Sequence, residues 1–337
     1  MRIAVDAMGG EYSPHEIVKG VIKAAREYEV EITLVGRKEI LYVLAGRHLA
    51  KLKMSIIDAG QVIGSHESPV EAVRGKPDSS IVVGTNLVKN GEASAFVSAG
   101  NTGAVLFSAL ANLGKIEGID RPAIGSLINV GTINPILLID AGANAECRPG
   151  HLVQFAQLGT TYIREIFSID SPRVGLLNNG EEEKKGNRLA QESHQLLKKS
   201  TVNFIGNVEG QDLVSGRVDI VVTDGFTGNI VLKTLEGLTA SWLSSLGQAG
   251  QVFSKAYSLS SRALRRDMGM DTWTKKLDYS ASGGACLLGV NGNIIISHGR
   301  SRATAIKNAI GLARQTSERD ISEKIKEENY DQTDSGE

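Results

Sequence analysis

Two stretches of the chain set the same residue types at the same spacing. Ser98-Ala99-Gly100-Asn101-Thr102-Gly103 follows the apolar run 95–97 and precedes Ala104-Val105-Leu106. Thr223-Asp224-Gly225-Phe226-Thr227-Gly228-Asn229 follows Val221-Val222 and precedes Ile230-Val231. Ser98 answers to Thr223, Gly100 to Gly225, Thr102 to Thr227 and Gly103 to Gly228. Each stretch reads as the end of a buried strand, a tight loop and the start of an apolar helix. A helix start leaves amide N–H groups unpaired, and its dipole favours an anion there. The same residues also serve ordinary strand-to-helix turns, where they tolerate the turn and cap the helix. The repetition favours a site that holds an anion from two sides. Neither loop is a Walker A sequence, and no Gly-x-Gly-x-x-Gly is present.

Further polar residues fall at strand ends. Asp6-Ala7-Met8-Gly9-Gly10 and Asp140-Ala141-Gly142-Ala143-Asn144 are two more glycine turns of this kind. Asp6, Gly9, Gly10, Asp140 and Asn144 therefore join the candidates for substrate binding. Asn178 to Asn187 is a charged loop carrying Lys184 and Lys185. It is either a solvated loop or a lysine reaching an anion at the strand ends. Lys233 lies one turn into the helix after the second glycine loop, and His298 ends a late strand before Gly299-Arg300-Ser301. Asp6 and Asp140 lack the further ligands a metal pair would need, so no metal and no cofactor are expected. Cys147 and Cys286 have no histidine signature beside them. They read as small core residues of a protein from a reducing compartment.

These residues need a scaffold that puts strand ends side by side. Short apolar strands at Ile3–Ala7, Glu31–Gly36 and Met54–Ala59 alternate with helical segments, as βαβ units do. Ser13-Pro14-His15-Glu16 and Ser68-Pro69-Val70-Glu71 read as capping boxes with proline at the first helical position. Strands at Ala123–Val130 and Pro135–Asp140 are close enough to be antiparallel. A helix over about 151–167, a strand at Arg173–Leu177, a helix at Asn187–Lys199 and strands at Phe204–Asn207, Val218–Val222 and Asn293–His298 complete the pattern. The expected fold is a three-layer α/β sheet, mostly parallel, with some antiparallel strands. In such sheets ligands collect beyond the carboxyl ends of the strands. The 337 residues, 41% hydrophobic and 22% charged, support one large domain over 1–317. From about Glu318 to 337 the chain reads as a charged, frayed tail. With a net charge of −1 there is no basic field for nucleic acid. The N-terminus runs straight into a strand, unlike a signal peptide, and no apolar run is long enough to span a bilayer.

Residues 250–276 differ from the rest. Val252, Phe253, Ala256, Tyr257, Leu259, Ala263, Leu264 and Met268 recur at roughly helical spacing, among six basic and two acidic residues. A basic amphipathic helix of this kind can lie on an anionic membrane or dock an acidic partner. It can equally be a helical hairpin packed on another subunit.

Five motifs, in order, resemble bacterial phosphate acyltransferases: Asp6-Ala7-Met8-Gly9-Gly10, Ser98 to Ala104, Asp120-Arg121-Pro122-Ala123, Asp140 to Asn144 and Thr223 to Asn229. The resemblance spans residues 1 to about 315. Glu11 stands where that family usually has Asp, and Arg300 where it has Ser. The resemblance implies the fold of the isocitrate and isopropylmalate dehydrogenases and of phosphotransacetylase. It also implies a homodimer, an acyl carrier protein as partner, a cytoplasmic protein loosely attached to the inner face of the membrane, and delivery to a membrane glycerol-3-phosphate acyltransferase. The membrane contact falls to Val252–Met268.

The implied reaction moves a long-chain acyl group from the carrier's thioester to inorganic phosphate. Phosphate is already anionic, so the enzyme must hold it against the carbonyl and stabilise the developing oxyanion. The two glycine loops are expected to divide those tasks, through backbone amides, Asn101, Thr102 and Asn229, with Lys184, Lys185 or Lys233 as the cation. Asp224 would orient a lysine or shuttle a proton, and His298 would protonate the departing thiolate. No nucleophile–base pair calls for an acyl-enzyme. A CoA-dependent phosphate acetyl- or butyryltransferase and a membrane-bound scaffold for lipid-synthesis enzymes are the competing readings.

Overall fold

The computed structural model of the chain describes residues 1–129, 135–239, 241 and 283–328. The basic amphipathic stretch at 250–276 lies outside them. The elements in order are β1 (Arg2–Asp6), α1 (His15–Glu27), β2 (Glu31–Gly36), α2 (Lys38–Ala45), β3 (Met54–Asp58), α3 (Pro69–Gly75), α4 (Ser80–Lys89), β4 (Ala95–Ser98) and α5 (Thr102–Asn112). Then come β5 (Ala123–Ile128), β6 (Ile136–Ile139), α6 (Pro149–Phe167), β7 (Val174–Leu177), α7 (Arg188–Leu197), β8 (Phe204–Val208) and β9 (Ile220–Val222). A helix over 225–239, here α8, precedes β10 (Ala285–Leu288), β11 (Asn293–Ile296), α9 (Ala303–Glu318) and α10 (Ile321–Glu327).

The strands form one sheet in the order β3-β2-β1-β4-β11-β10-β5-β6-β9-β7-β8. Helices cover both faces, so central strands such as β5 and β6 are buried at every residue. One apolar layer packs α1, α6, α9 and α10 on the sheet, and the other packs α3, α4, α5 and α8. This is the expected three-layer, mostly parallel fold.

Direction within the sheet decides where the site is built. β1, β2, β3, β4 and β11 run parallel. β10 is antiparallel to both β11 and β5, and β5 is antiparallel to β6. β6, β9, β7 and β8 are parallel to one another. The last four strands therefore point opposite to β1, β4 and β11. The Ser98 loop opens on one edge of the sheet and the Thr223 loop on the other. α8 starts at the second edge and, over about 1.5 Å per residue, climbs back toward the first.

Several local expectations change. β10, which carries Cys286, was not anticipated; its four residues are too few to register a period. Ser13 does not cap α1: its hydroxyl donates to Met8 O at 2.9 Å and Gly10 O at 2.8 Å, bracing the glycine turn. Glu16 reaches across instead and accepts the Ala303 N–H at the start of α9, at 3.1 Å. Ser68 precedes Pro69 but makes no side-chain cap. The frayed tail expected from Glu318 gives way at α10, where Ile321 and Ile325 are 2% and 1% exposed. Two isoleucines four apart suffice to seat a two-turn helix on α6 that charge counting reads as solvated. Ile325→Ala is expected to cost about 2–5 kcal/mol, measured by equilibrium urea unfolding; a change under 0.5 kcal/mol would mean the helix adds nothing to the core.

Candidate active site

The first edge is organised by Asp6, buried at the end of β1. Its Oδ1 accepts the N–H groups of Met8 and Gly9, both at 3.0 Å, and its Oδ2 accepts the Ser98 hydroxyl at 2.7 Å. Ser98 Oγ in turn accepts the Gly100 N–H at 3.0 Å. Burial pushes the Asp6 carboxyl above its ordinary value, while the Ser80 hydroxyl and these donors pull it down. Gly9 is required here: a Cβ would lie 2.3 Å from Asp6 Oδ2 and 2.7 Å from Gly100 N. Asn101 is the N-cap of α5, its Oδ1 accepting the Ala104 N–H at 3.1 Å. Its Nδ2 faces the carbonyls of Gly64, Ser65 and Glu67 at 3.2–3.4 Å. Asn101 is thus committed to structure. Among the described residues, the amides of Thr102 and Gly103 and the Thr102 hydroxyl make no hydrogen bond.

The second loop spends its donors differently. Asp140 Oδ1 accepts the N–H groups of Ile124 (3.0 Å), Gly142 (3.1 Å) and Ala143 (2.9 Å). Its Oδ2 accepts Asn144 N and Nδ2 at 2.7 and 2.8 Å. Burial raises this carboxyl too, against those donors. Asn144 O then accepts the Gly225 N–H at 2.8 Å. Asp224 Oδ1 and Oδ2 take the Thr227 N–H and hydroxyl, both at 2.8 Å, and Asp224 O takes the Gly228 N–H at 2.9 Å. At Gly228 a Cβ would stand 1.9 Å from Asp140 O. The amides of Asp224 and Phe226 are left over among the described residues. The matched sequences therefore do not make matched anion cups. One keeps its amides open, and the other uses them to weld α8 to the 140–144 turn.

α8 carries the remaining candidates upward. Asn229, Lys233 and Glu236 lie on one helical stripe, at i, i+4 and i+7. Asn229 sits against Gly142 at the second edge. Lys233 and Glu236 reach a cleft of about 860 Å³ that is also lined by Glu11, Gly284, His298 and Arg300. His298 Nδ1 accepts the Arg300 N–H at 3.0 Å, and its Nε2 lies 3.3 Å from Glu236 Oε2. That arrangement leaves the Nε2 proton on the Glu236 side in the neutral ring. Glu11 N donates to Gly299 O at 2.8 Å and its carboxylate meets Arg300 Nε at 3.3 Å. Gly10 packs on Ala99 and Gly299, which ties this cleft to the Ser98 loop. Sequence reading passed over Glu236, although its position three residues after Lys233 on a helix carrying candidate residues was a usable signal.

Lys184 and Lys185 lie elsewhere. Their loop borders a second cleft of about 390 Å³ lined by Leu152, Leu176, Asn178, Asn187, Thr223, Asp224 and Thr227. Both lysines are exposed; Lys185 Nζ stands 4.0 Å from Glu182, and the Lys184 carbonyl accepts from Gln191 Nε2. Within one protomer neither lysine shares an edge with His298. Among the described residues, no cluster of His, Cys, Asp or Glu could hold a metal ion. Cys147 contacts Asn144 O at 3.6 Å, and burial pushes its thiol up to about 12; buried Cys286 is pushed equally high. Both thiols stay protonated at neutral pH, so neither is a nucleophile. Native protein at pH 8 is expected to resist iodoacetamide while urea-unfolded protein takes up two equivalents; rapid alkylation of the native chain would overturn this.

Residues 1–324 match the family model for the fatty acid synthesis protein. The chain is 54% identical over 336 residues to the phosphate acyltransferase of Dehalococcoides mccartyi, covering 100% of this chain and 96% of that one. It is 48% identical over 327 residues to the phosphate acyltransferase of Pelotomaculum thermopropionicum, covering 97% and 94%. Among solved structures, a phosphotransacetylase from Streptococcus pyogenes superposes with a TM-score of 0.59 at 18% identity, covering 94% of each chain. A 4-hydroxythreonine-4-phosphate dehydrogenase from Klebsiella pneumoniae does so with 0.53 at 13%, covering 94% and 99%. At those identities the two structures share the fold alone. By the family model and by identity along its whole length, the chain belongs to the fatty acid synthesis protein family, whose relatives here are phosphate acyltransferases.

Proposed function

We propose that the chain transfers a long-chain fatty acyl group from the thioester of an acyl carrier protein to inorganic phosphate, releasing acyl phosphate and the free carrier thiol. The reading rests on one juxtaposition. The open amides of Thr102 and Gly103 share a sheet edge with Lys233, His298 and Arg300, and no thiol able to form an acyl-enzyme is present among the described residues. A phosphate held at the start of α5 would be charge-compensated by amides, the helix dipole and Lys233. One phosphate oxygen attacks the thioester carbonyl, forming C–O as C–S breaks. Lys233 and the open amides are suited to the oxyanion that develops. His298, whose ring is oriented by Glu236, is suited in its imidazolium form to hand a proton to the sulfur and return to the neutral ring.

In this reading the second glycine loop is an anchor. Asp140, Asn144, Thr223, Asp224, Gly225, Thr227 and Gly228 hold the start of α8 so that Asn229, Lys233 and Glu236 keep their aim. Lys184 and Lys185 flank the second cleft and carry no step within one protomer.

The product is a mixed anhydride that water destroys, which favours handing it quickly to a consuming enzyme. We propose accordingly a homodimer at the inner face of the membrane, with Val252–Met268 as the contact and a glycerol-3-phosphate acyltransferase as recipient. Among the described residues no helix is long and apolar enough to cross a bilayer.

The test is direct. Purified protein, palmitoyl-carrier protein and phosphate are expected to yield palmitoyl phosphate by mass spectrometry. Turnover of acetyl- or butyryl-CoA alone would transfer the reading to a short-chain CoA enzyme, and no turnover of either would reject it. His298→Ala is expected to lower kcat about 10²-fold or more, and Lys233→Met to lower kcat/KM by a similar factor, each with an unchanged melting temperature.

A further inference from the structure

The segment leading into α3 is built around one lysine. Lys76 Nζ donates to Val62 O at 2.9 Å and to Glu67 Oε1 and Oε2 at 2.7 and 2.6 Å, one acceptor for each ammonium proton. Glu67 Oε1 also accepts the Gly64 N–H at 2.6 Å. These bonds close residues 62–67 into a loop whose carbonyls face inward. Three of them, from Gly64, Ser65 and Glu67, surround Asn101 Nδ2. From the same segment Pro69 lies against Gly103, where a Cβ would sit 2.6 Å from its Cγ. The loop thus grips both sides of the open amides at 102 and 103.

The grip has two electrostatic effects. An N-cap asparagine can turn its amide group in more than one way; three carbonyls around Nδ2 select the orientation in which Oδ1 caps Ala104. The same carbonyls would repel an anion if they faced it, and their lone pairs are instead directed at Asn101. Lys76 supplies the charge that holds this arrangement, and the Glu67 carboxylate is held below its usual range mainly by that lysine.

We infer that Lys76, acting through Glu67 and the 62–67 loop, is a positioning residue for the phosphate-binding end of α5. The inference rests on the reading of Thr102 and Gly103 as the phosphate site. It predicts that Lys76→Met raises KM for phosphate about 10-fold or more, while kcat at saturating phosphate and KM for the acyl-carrier substrate stay within 2-fold. Glu67→Gln, the milder variant, should do the same to a smaller degree. The double variant should be no worse than Lys76→Met, because both act on one unit. The concentration of phosphate that half-saturates its stabilisation of the protein against heat should rise in step with KM.

Thr102→Pro, which removes one of the open amides at a first helical position that tolerates proline, separates the inference from the reading beneath it. If Thr102→Pro raises KM for phosphate and Lys76→Met does not, the role of Lys76 is overturned and the phosphate site stands. If neither moves it, the phosphate site itself falls. If Lys76→Met lowers every parameter together with the melting temperature while Glu67→Gln leaves KM for phosphate unchanged, the loop is structural only and the inference is overturned.

Discussion

A carboxyl group removed from water has to be given other donors, and Asp140 is given five. Three come from successive residues of its own turn, one from the neighbouring strand β5 and one from the side chain of Asn144. Leaving any of these buried donors without an acceptor would cost about 1–3 kcal/mol. The turn after β6 therefore has one conformation, and that conformation presents Asn144 O to Gly225 and Asp140 O to Gly228. The position of α8 follows from this single side chain, and the positions of Lys233 and Glu236 follow from α8. Asp6 plays the same part at the other edge with the Met8 and Gly9 amides and the Ser80 and Ser98 hydroxyls as donors, fixing the Gly9–Gly10 turn against Ser98 and Gly100.

The antiparallel pairing of β6 with β5 then decides what each loop can do. Without it, both glycine loops would open on one edge and could close on one anion. With it they stand at opposite edges, and α5 and α8 run antiparallel on one face of the sheet. An anion at the start of α5 can be met from α8 only by residues two or three turns along. Lys233 and Glu236 satisfy that condition, and Asp224 and Thr227 do not. Topology thus separates the two loops, and the Asp224 carboxylate, which the first loop lacks, closes amides in the second.

Much of the fold was legible in residue patterns, because long apolar runs bounded by glycine, serine and asparagine are what strands buried on both faces require. The antiparallel pairing of β5 with β6 followed from their short connection. The fate of the helix-start amides was not legible. Among the differences between Ser98-x-Gly100-x-Thr102-Gly103 and Thr223-x-Gly225-x-Thr227-Gly228 is Asp224 in place of Ala99, and that carboxylate is what captures the Thr227 amide and hydroxyl. Whether a third loop supplies an acceptor, as Asn144 O does for Gly225, is a long-range fact with no local trace. The same holds for Asn101, whose side chain looks free until the carbonyls of Gly64, Ser65 and Glu67 are brought to it by a lysine at the C-cap of α3. β10 and α10 were missed for a different reason: four residues and two isoleucines carry too little period to be read.

The chemistry asks little of the side chains and much of their placement. Phosphate brings its own negative charge, so a general base would add nothing that binding does not already supply. What the site must provide is an approach that lets two electron-rich partners meet, together with a proton for the sulfur. Open amides and a single lysine can accept phosphate without stripping it of reactivity, because they spread the compensation over several weak donors. A denser set of cations would bind phosphate more tightly and lower its nucleophilicity, with no gain in the transition state. The structure uses its other charges elsewhere. Glu11 engages Arg300, Glu236 engages His298 and Glu67 engages Lys76, so that three of the groups nearest this edge are set in place by acids. Lys233 lines the cleft without an acid partner among the described residues, which is what makes it the cation assigned to the ligand in the proposed reading.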